Sequence, residues 1–176
     1  MRAVVCLGLA CFLAGSAGCA SNPTKGYSFS STFDDEIRTV AVPVFENETF
    51  NPGLETTLTD AIIKRIQSRT PWKVTSEDRA ETRLRGQITD SGLSTLSEVR
   101  ETGLVEEQAV RLTVDFSWVD RRTGDVLASA QSLSAAATFV PARGEAGEPG
   151  ERIQLGERGA VEELAAAIVD RMRSTW

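Results

Sequence analysis

The chain contains no histidine, and its three cysteines all lie within the first nineteen residues. Without histidine, serine–histidine–aspartate triads, cysteine–histidine pairs and histidine-ligated metals are excluded. Positive charge is also scarce, because 19 lysines and arginines stand against 25 aspartates and glutamates, for a net charge of −6. Nucleic-acid binding requires a basic surface, so it is not expected either. Composition therefore favours a protein that is neither an enzyme nor a nucleic-acid-binding module.

The amino-terminal segment has the organisation of an export signal. Arg2 supplies a positive charge, residues 3–14 form an apolar run, and small residues precede Cys19. Small residues directly before a cysteine are typical of a bacterial lipobox, although Ser16 stands where leucine is common. We therefore expect residues 1–18 to be a lipoprotein signal peptide and Cys19 to carry a diacylglyceryl group and an acyl chain such as palmitate. The alternative is an ordinary signal peptide cleaved nearby, which would leave the Cys19 thiol free.

After this cleavage no disulfide bond is possible, because Cys19 is then the only cysteine. We expect residues 19–35 to form a lipidated polar tether and residues 36–176 to form the folded domain. Acyl chains on Cys19 would give durable membrane anchoring, because each buried methylene contributes about 0.8 kcal/mol. The rest of the chain has no apolar stretch long enough to span a bilayer, so the domain should lie beside the membrane.

Hydrophobic periodicity predicts strands that alternate with two amphipathic helices. The predicted elements are a strand at 37–45, a helix at 52–69, strands at 72–75, 82–99, 110–118 and 126–139, and a helix at 159–173. Asn51 and Pro52 suit the start of the first helix. Residues 141–158 are rich in glycine, proline and glutamate, and we expect them to form a mobile loop.

These elements predict an α+β fold. The apolar stripes of the two helices need a common surface, which a sheet with one apolar face provides. The strand at 110–118 has this pattern, since Val110, Leu112 and Val114 alternate with polar residues. We therefore expect two amphipathic helices on one face of a roughly four-stranded, mostly antiparallel sheet. The opposite face should be polar.

Several segments resemble the LptE family of lipopolysaccharide-assembly lipoproteins. They are Gly26–Phe29, Ile37–Asn47, Pro52–Ala61, the strand Leu84–Ile88, the hairpin Arg122–Leu127 and the carboxy-terminal helix. They occur in the expected order after a lipobox and together cover nearly all of residues 26–173. The stretch 40–61 is the most specific part of the resemblance.

The resemblance implies two helices on a roughly four-stranded sheet, with no catalytic activity. It also implies a lipoprotein anchored in the inner leaflet of the outer membrane and facing the periplasm. There the protein would plug its partner, an LptD-type β-barrel, help to assemble it, and assist the delivery of lipopolysaccharide to the outer leaflet. The alternative is a periplasmic lipoprotein subunit of another envelope machine, of the curli-secretion or penicillin-binding-protein-activator type, which has a similar strand–loop–helix opening.

Three arginines are the candidate contact residues. Arg83, Arg85 and Arg111 would all project from the polar face of the sheet if strand alternation holds. Our hypothesis is that they contact the barrel wall or lipopolysaccharide phosphates. The alternative is that they are solvated charges paired with Asp115 or with neighbouring glutamates. The acidic residues lack the spacing of a calcium-binding loop, so we expect no metal, and no cofactor other than covalent lipid on Cys19.

Overall fold

The computed structural model describes residues 37–98, 105–141 and 149–174. The strands in these ranges are β1 (Thr39–Ala41), β2 (Glu46–Asn47), β3 (Lys73–Val74), β4 (Thr82–Glu98), β5 (Val105–Asp120) and β6 (Val126–Phe139). The helices are α1 (Leu54–Arg69) and α2 (Pro149–Arg173). The α+β class is confirmed. The predicted signal peptide and tether, with Cys19, lie outside the described residues.

The sheet differs in detail from the four antiparallel strands that we expected. It has six strands in the order β3–β1–β4–β5–β6, and β2 pairs with β4. Strand β5 runs antiparallel to both β4 and β6, whereas β1 and β2 run parallel to β4 and β1 runs parallel to β3. The strand predicted at 37–45 is interrupted near Pro43, which cannot donate a ladder hydrogen bond. Because α1 forms a crossover connection, β3 returns in the direction of β1.

The core lies between the two helices and one face of the sheet. Helix α1 contributes Leu58, Ile62 and Ile66, and α2 contributes Leu164 and Ile168, all of them fully buried. They form one cluster with the inward-facing residues of the long strands, Leu84, Ile88, Val110, Leu112, Val114, Phe116 and Trp118. The helix faces that were predicted to be apolar are therefore the faces that are buried in the core. None of the helices in the described ranges is long and apolar enough to cross a membrane.

Helix α2 begins at Pro149, ten residues before the predicted start. The loop prediction for 141–158 is therefore wrong over residues 149–158, while 142–148 lie outside the described residues. Proline is tolerated in the first turn of a helix. Gly156 in this stretch, and Gly159 directly after it, lower helix propensity but are explained by packing. A Cβ at Gly156 would lie 2.7 Å from the Phe139 ring, and one at Gly159 would lie 2.7 Å from Ala137 Cβ.

Helix α1 begins two residues later than predicted. Its N-cap is Gly53 rather than Asn51, and the first helical residue is Leu54. Gly53 has a φ of 95°, in the left-handed region that glycine enters at little cost. The conformational freedom of this glycine, rather than an asparagine side chain, allows the chain to turn into the helix.

Candidate functional site

The three candidate arginines lie on the face of the sheet opposite the helices. Leu84 in β4 is fully buried in the core, and Arg83 and Arg85 flank it in the sequence. Because successive side chains of a strand point to opposite faces, both arginines project from the open face. The same argument applies in β5, where Arg111 precedes the buried Leu112.

The structure brings only two of these arginines together. Arg83 hydrogen-bonds through Nη1 to Oε1 of Glu77, and Arg85 Nη2 lies 3.5 Å from the same oxygen. Arg111 is six residues along β5 from Ser117, which is the pairing partner of Arg85. At about 3.3 Å per residue, Arg111 is about 20 Å from the pair. The three side chains therefore form two separate positively charged positions.

Glu77 is the glutamate that pairs with Arg83 and Arg85, as the alternative of solvated, glutamate-paired charges anticipated without naming the residue. It lies in the loop between β3 and β4, whose path is fixed by Arg121, because Arg121 Nη1 donates to the main-chain carbonyls of Glu77 and, at 2.8 Å, of Ala80. The hydrogen bond from Arg83, and then the charges of Arg83, Arg85 and Arg121, lower the pKa of Glu77 below its ordinary value of 4.5. No spacing rule connects this loop glutamate to a strand arginine, so the sequence offered no signal for it.

Asp115 has a different role from the arginine pairing considered above. Its Oδ1 accepts a hydrogen bond of 2.7 Å from the main-chain N–H of Ser132. Ser132 has a φ of 52°, and the register of β5 with β6 shifts at this point, between Val114 and Phe116. The carboxylate thus supports an unusual backbone conformation in a bulge, which bends β6 beside the open face.

A shallow cavity of about 360 Å³ lies beside this bulge and next to Arg85. Its polar lining includes Glu46, Arg85, Gln87, Asp115, Ser129 and Gln131. A guanidinium, two amides, a hydroxyl and two carboxylates supply both hydrogen-bond donors and acceptors. Such a set suits a ligand rich in hydroxyl groups or a polar protein surface. Within the described ranges, no cluster of three acidic or thiol side chains could hold a metal ion.

The connection from β2 to α1 is organised by Asn47. Its Nδ2 donates to Asn51 O at 2.9 Å and to Glu55 Oε2 at 2.8 Å, while its Oδ1 accepts from Thr49. The Glu55 carboxylate also accepts from the Gly53 N–H. Its own backbone N–H, the Asn47 amide and the Gly53 N–H lower the pKa of Glu55 below 4.5. Asn47 and Glu55 lie in segments that carry the family resemblance, and here their side chains shape a turn.

Phe45 and Gly86 fix the position of this connection on the sheet. Phe45 is buried, and its main-chain N–H donates to Thr59 Oγ1 at 3.0 Å, which ties the segment to α1. Its ring lies directly against Gly86, where a Cβ would overlap the ring and would lie 2.7 Å from the carbonyl oxygen of Asp115. Only glycine leaves room for Phe45 at this point of β4.

These elements and side chains occur within a single family match. Residues 37–174 match the family model of LptE, described as lipopolysaccharide-assembly. The chain is a member of the LptE family. The match extends over both helices and all six strands that the structure describes, so the resemblance seen in the sequence is confirmed. Membership of LptE gives the chain a role in lipopolysaccharide assembly.

Solved structures share the fold of this LptE-family chain. Rare lipoprotein B from Shewanella oneidensis is 18% identical, with a TM-score of 0.54, and the match covers 78% of this chain and 96% of that one. A Caulobacter crescentus protein assigned as a lipoprotein is 15% identical, with a TM-score of 0.50, over 74% of this chain and 88% of that one. At these identities the likeness concerns the fold. No curated protein sequence matches the chain significantly.

Proposed function

We propose that this LptE-family protein is a non-catalytic lipoprotein of the outer membrane that faces the periplasm and is anchored through Cys19. It plugs an LptD-type β-barrel, helps that barrel to assemble, and so assists the delivery of lipopolysaccharide to the outer leaflet. The observation that carries this proposal is the family match over residues 37–174. The lipobox-like sequence before Cys19 supports the anchoring.

The open face of the sheet is the proposed contact surface. Arg85, with 58% of its side chain exposed, lies beside the polar cavity and is only loosely paired with Glu77. Arg111 is exposed about 20 Å away along β5. Two separated cations suit an extended contact, such as a barrel wall or the phosphates of a large glycolipid. Arg83 is less available, because its side chain is only 28% exposed and is bonded to Glu77.

The plug proposal is tested by purifying the tagged full-length lipoprotein from detergent-solubilised outer membrane and identifying the co-purified proteins by mass spectrometry. We expect a large β-barrel at one copy per copy of the lipoprotein. The matched control is Cys19→Ala, which removes the anchor and should reduce this recovery. Recovery of the lipoprotein alone, or as a homo-oligomeric ring, would contradict the proposal and favour the subunit of another envelope machine.

The contact surface is tested by charge reversal. Arg85→Glu and Arg111→Glu should each reduce recovery of the barrel, or crosslinking to lipopolysaccharide, and should reduce it further together. Because both positions are exposed, each change should alter stability by about 0.5 kcal/mol or less. The control is Arg69→Glu at the exposed end of α1, which makes the same reversal of charge on the helical side. Equal losses for all three variants would show that net charge matters and the open face does not.

A further inference from the structure

Among the strands of residues 37–98, 105–141 and 149–174, β6 forms one edge of the sheet, and it carries no charged residue. Edge strands expose unpaired main-chain N–H and C=O groups, and proteins usually protect them with lysine, proline or bulges. Between Val126 and Phe139 neither lysine nor proline occurs. The shifts in register at Leu127 and at Gln131–Ser132 protect only the first half of the strand.

The second half of β6 is regular, and no described strand other than β5 pairs with it. Residues 133–139 pair with β5 without a shift, from Leu133 opposite Val114 to Phe139 opposite Gln108. In the described part of the chain, no main-chain group of 133–139 is hydrogen-bonded to any segment other than β5. Seven residues of edge backbone are therefore in a conformation ready to pair with another strand.

A groove of about 490 Å³ runs beside this edge and is walled by α2. Residues 134–137 line one side, and Gly159, Glu163 and Ala167 line the other. All of these side chains except Glu163 are small. An added strand would place alternate side chains into this groove and would continue the sheet.

Glu163 determines which kind of strand fits. It is exposed, and none of the cations among the described residues lies within ion-pairing distance of it. A second copy pairing antiparallel through its own β6 around Ala136 would bring two Glu163 carboxylates towards each other, which is unfavourable. A strand with a lysine or arginine at this point would be attracted instead.

We propose that residues 133–139 of β6 accept an additional β-strand from another polypeptide, with aliphatic side chains facing α2 and a basic side chain opposite Glu163. The added strand gains main-chain hydrogen bonds from the edge, a groove for its aliphatic side chains, and a charge pair that sets its register. This site lies at the edge of the sheet, and it does not depend on the arginines of the open face or on the identity of the barrel.

The test uses full-length lipoprotein in detergent and two fluorescein-labelled peptides, Thr-Val-Thr-Arg-Thr-Val-Thr and the same peptide with glutamate at its centre. Fluorescence anisotropy should show at least tenfold tighter binding of the arginine peptide. Glu163→Lys should reverse this preference. Ala136→Lys, on the exposed side of the edge, should weaken both peptides at least tenfold, whereas Ser68→Lys on α1 should leave binding unchanged.

Hydrogen–deuterium exchange then locates the peptide. Slower exchange confined to residues 133–139 supports the proposal, whereas absence of binding, equal affinity for the two peptides, or protection elsewhere overturns it. Protection of 133–139 that rises with protein concentration and needs no peptide would assign the edge to a second copy. Exchange at 133–139 that quickens on deletion of residues 20–33 would assign it to the chain's own amino-terminal segment. Either of these last outcomes also overturns the proposal.

Discussion

At Gly86 the absence of a side chain leaves room for the ring of Phe45. Gly86 sits in the middle of β4, where glycine normally weakens a strand because it costs backbone entropy and packs nothing. Here the empty position is filled by the ring of Phe45, which arrives from the segment between β1 and β2. A residue that weakens the strand locally thus allows the segment between β1 and β2 to join the core.

Gly86→Ala should destabilise the protein by about 1–3 kcal/mol, because the added methyl group would displace Phe45 or the β5 backbone at Asp115. The matched control is Gly92→Ala in the same strand, where the nearest atom to the new Cβ, Asp90 Oδ2, is 3.8 Å away. This control should be neutral or stabilising by about 0.5–1 kcal/mol. Urea unfolding measures both variants, and equal effects would contradict the packing argument.

The glutamates that anchor loops should make stability depend on acid pH. Hydrogen bonds from the main-chain N–H of Arg38, and then from Thr39, lower the pKa of Glu81 below 4.5. Since the folded pKa is below the unfolded one, the stabilisation is complete above about pH 4.5 and is lost as the pH falls through the folded value. Glu81→Gln should lower stability at pH 7 and reduce its slope with pH below 5. An unchanged slope in urea titrations would contradict this assignment.

At the scale of elements, α2 and β6 are adapted to each other. The strand is rich in alanine and serine, and the helix contains glycines, which would be weak choices for either element in isolation. Together they allow close packing, because a Cβ at Gly159 would lie only 2.7 Å from Ala137 Cβ. Each of the two elements is therefore stabilised mainly by packing against the other.

Gly159→Ala tests this adaptation. In an exposed helix the change would stabilise by about 1 kcal/mol, but here the new methyl group meets Ala137, and we expect a loss of about 1–2 kcal/mol. Ala137→Gly provides the missing space, so the double variant should be more stable than the sum of the two single changes predicts. Additive effects in a double-mutant cycle would show that the two positions do not interact.

Helix α2 and strand β6 also show what could and could not be predicted from the sequence. Periodicity predicted α1, the long strands and the buried stripe of α2 because their side chains repeat with the period of each element. The first ten residues of α2 were assigned to a loop because they include Pro149, Gly150 and Gly156. The packing that makes Gly156 suitable in a helix involves Phe139 of β6, and no local pattern specifies that contact. Glu77 was not named for a similar reason, since its arginine partners reach it through a loop whose path no local pattern specifies.

At the scale of the whole molecule, the two faces of the sheet have different tasks. The face covered by the helices contributes the hydrophobic core that stabilises the fold, in one cluster that includes both helices and the long strands. The open face holds exposed polar groups and the candidate arginines. Changes on the open face can therefore alter binding with little effect on folding, which makes the charge reversals proposed above interpretable.

Removal of α2 should unfold the whole domain rather than leave a smaller folded one. A chain ending at Phe139 would expose the apolar face of β5, including Leu112 and Val114, which are fully buried in the intact protein. We expect loss of cooperative unfolding in urea and increased binding of a hydrophobic dye. A cooperative transition with an unchanged denaturant dependence would contradict the view that there is a single core.

The position of α2 after all the sheet strands in the sequence has a consequence for biogenesis. The sheet is complete in sequence at Phe139, but the helix that covers β5 and β6 extends to Arg173. If the chain is delivered amino terminus first at roughly 5–20 residues per second, the sheet waits for several seconds with its apolar face uncovered. During that interval a chaperone can bind the uncovered apolar face of the sheet. Substitutions that slow the docking of α2 should therefore act first on yield in the envelope, before they are visible in the equilibrium stability of the finished protein.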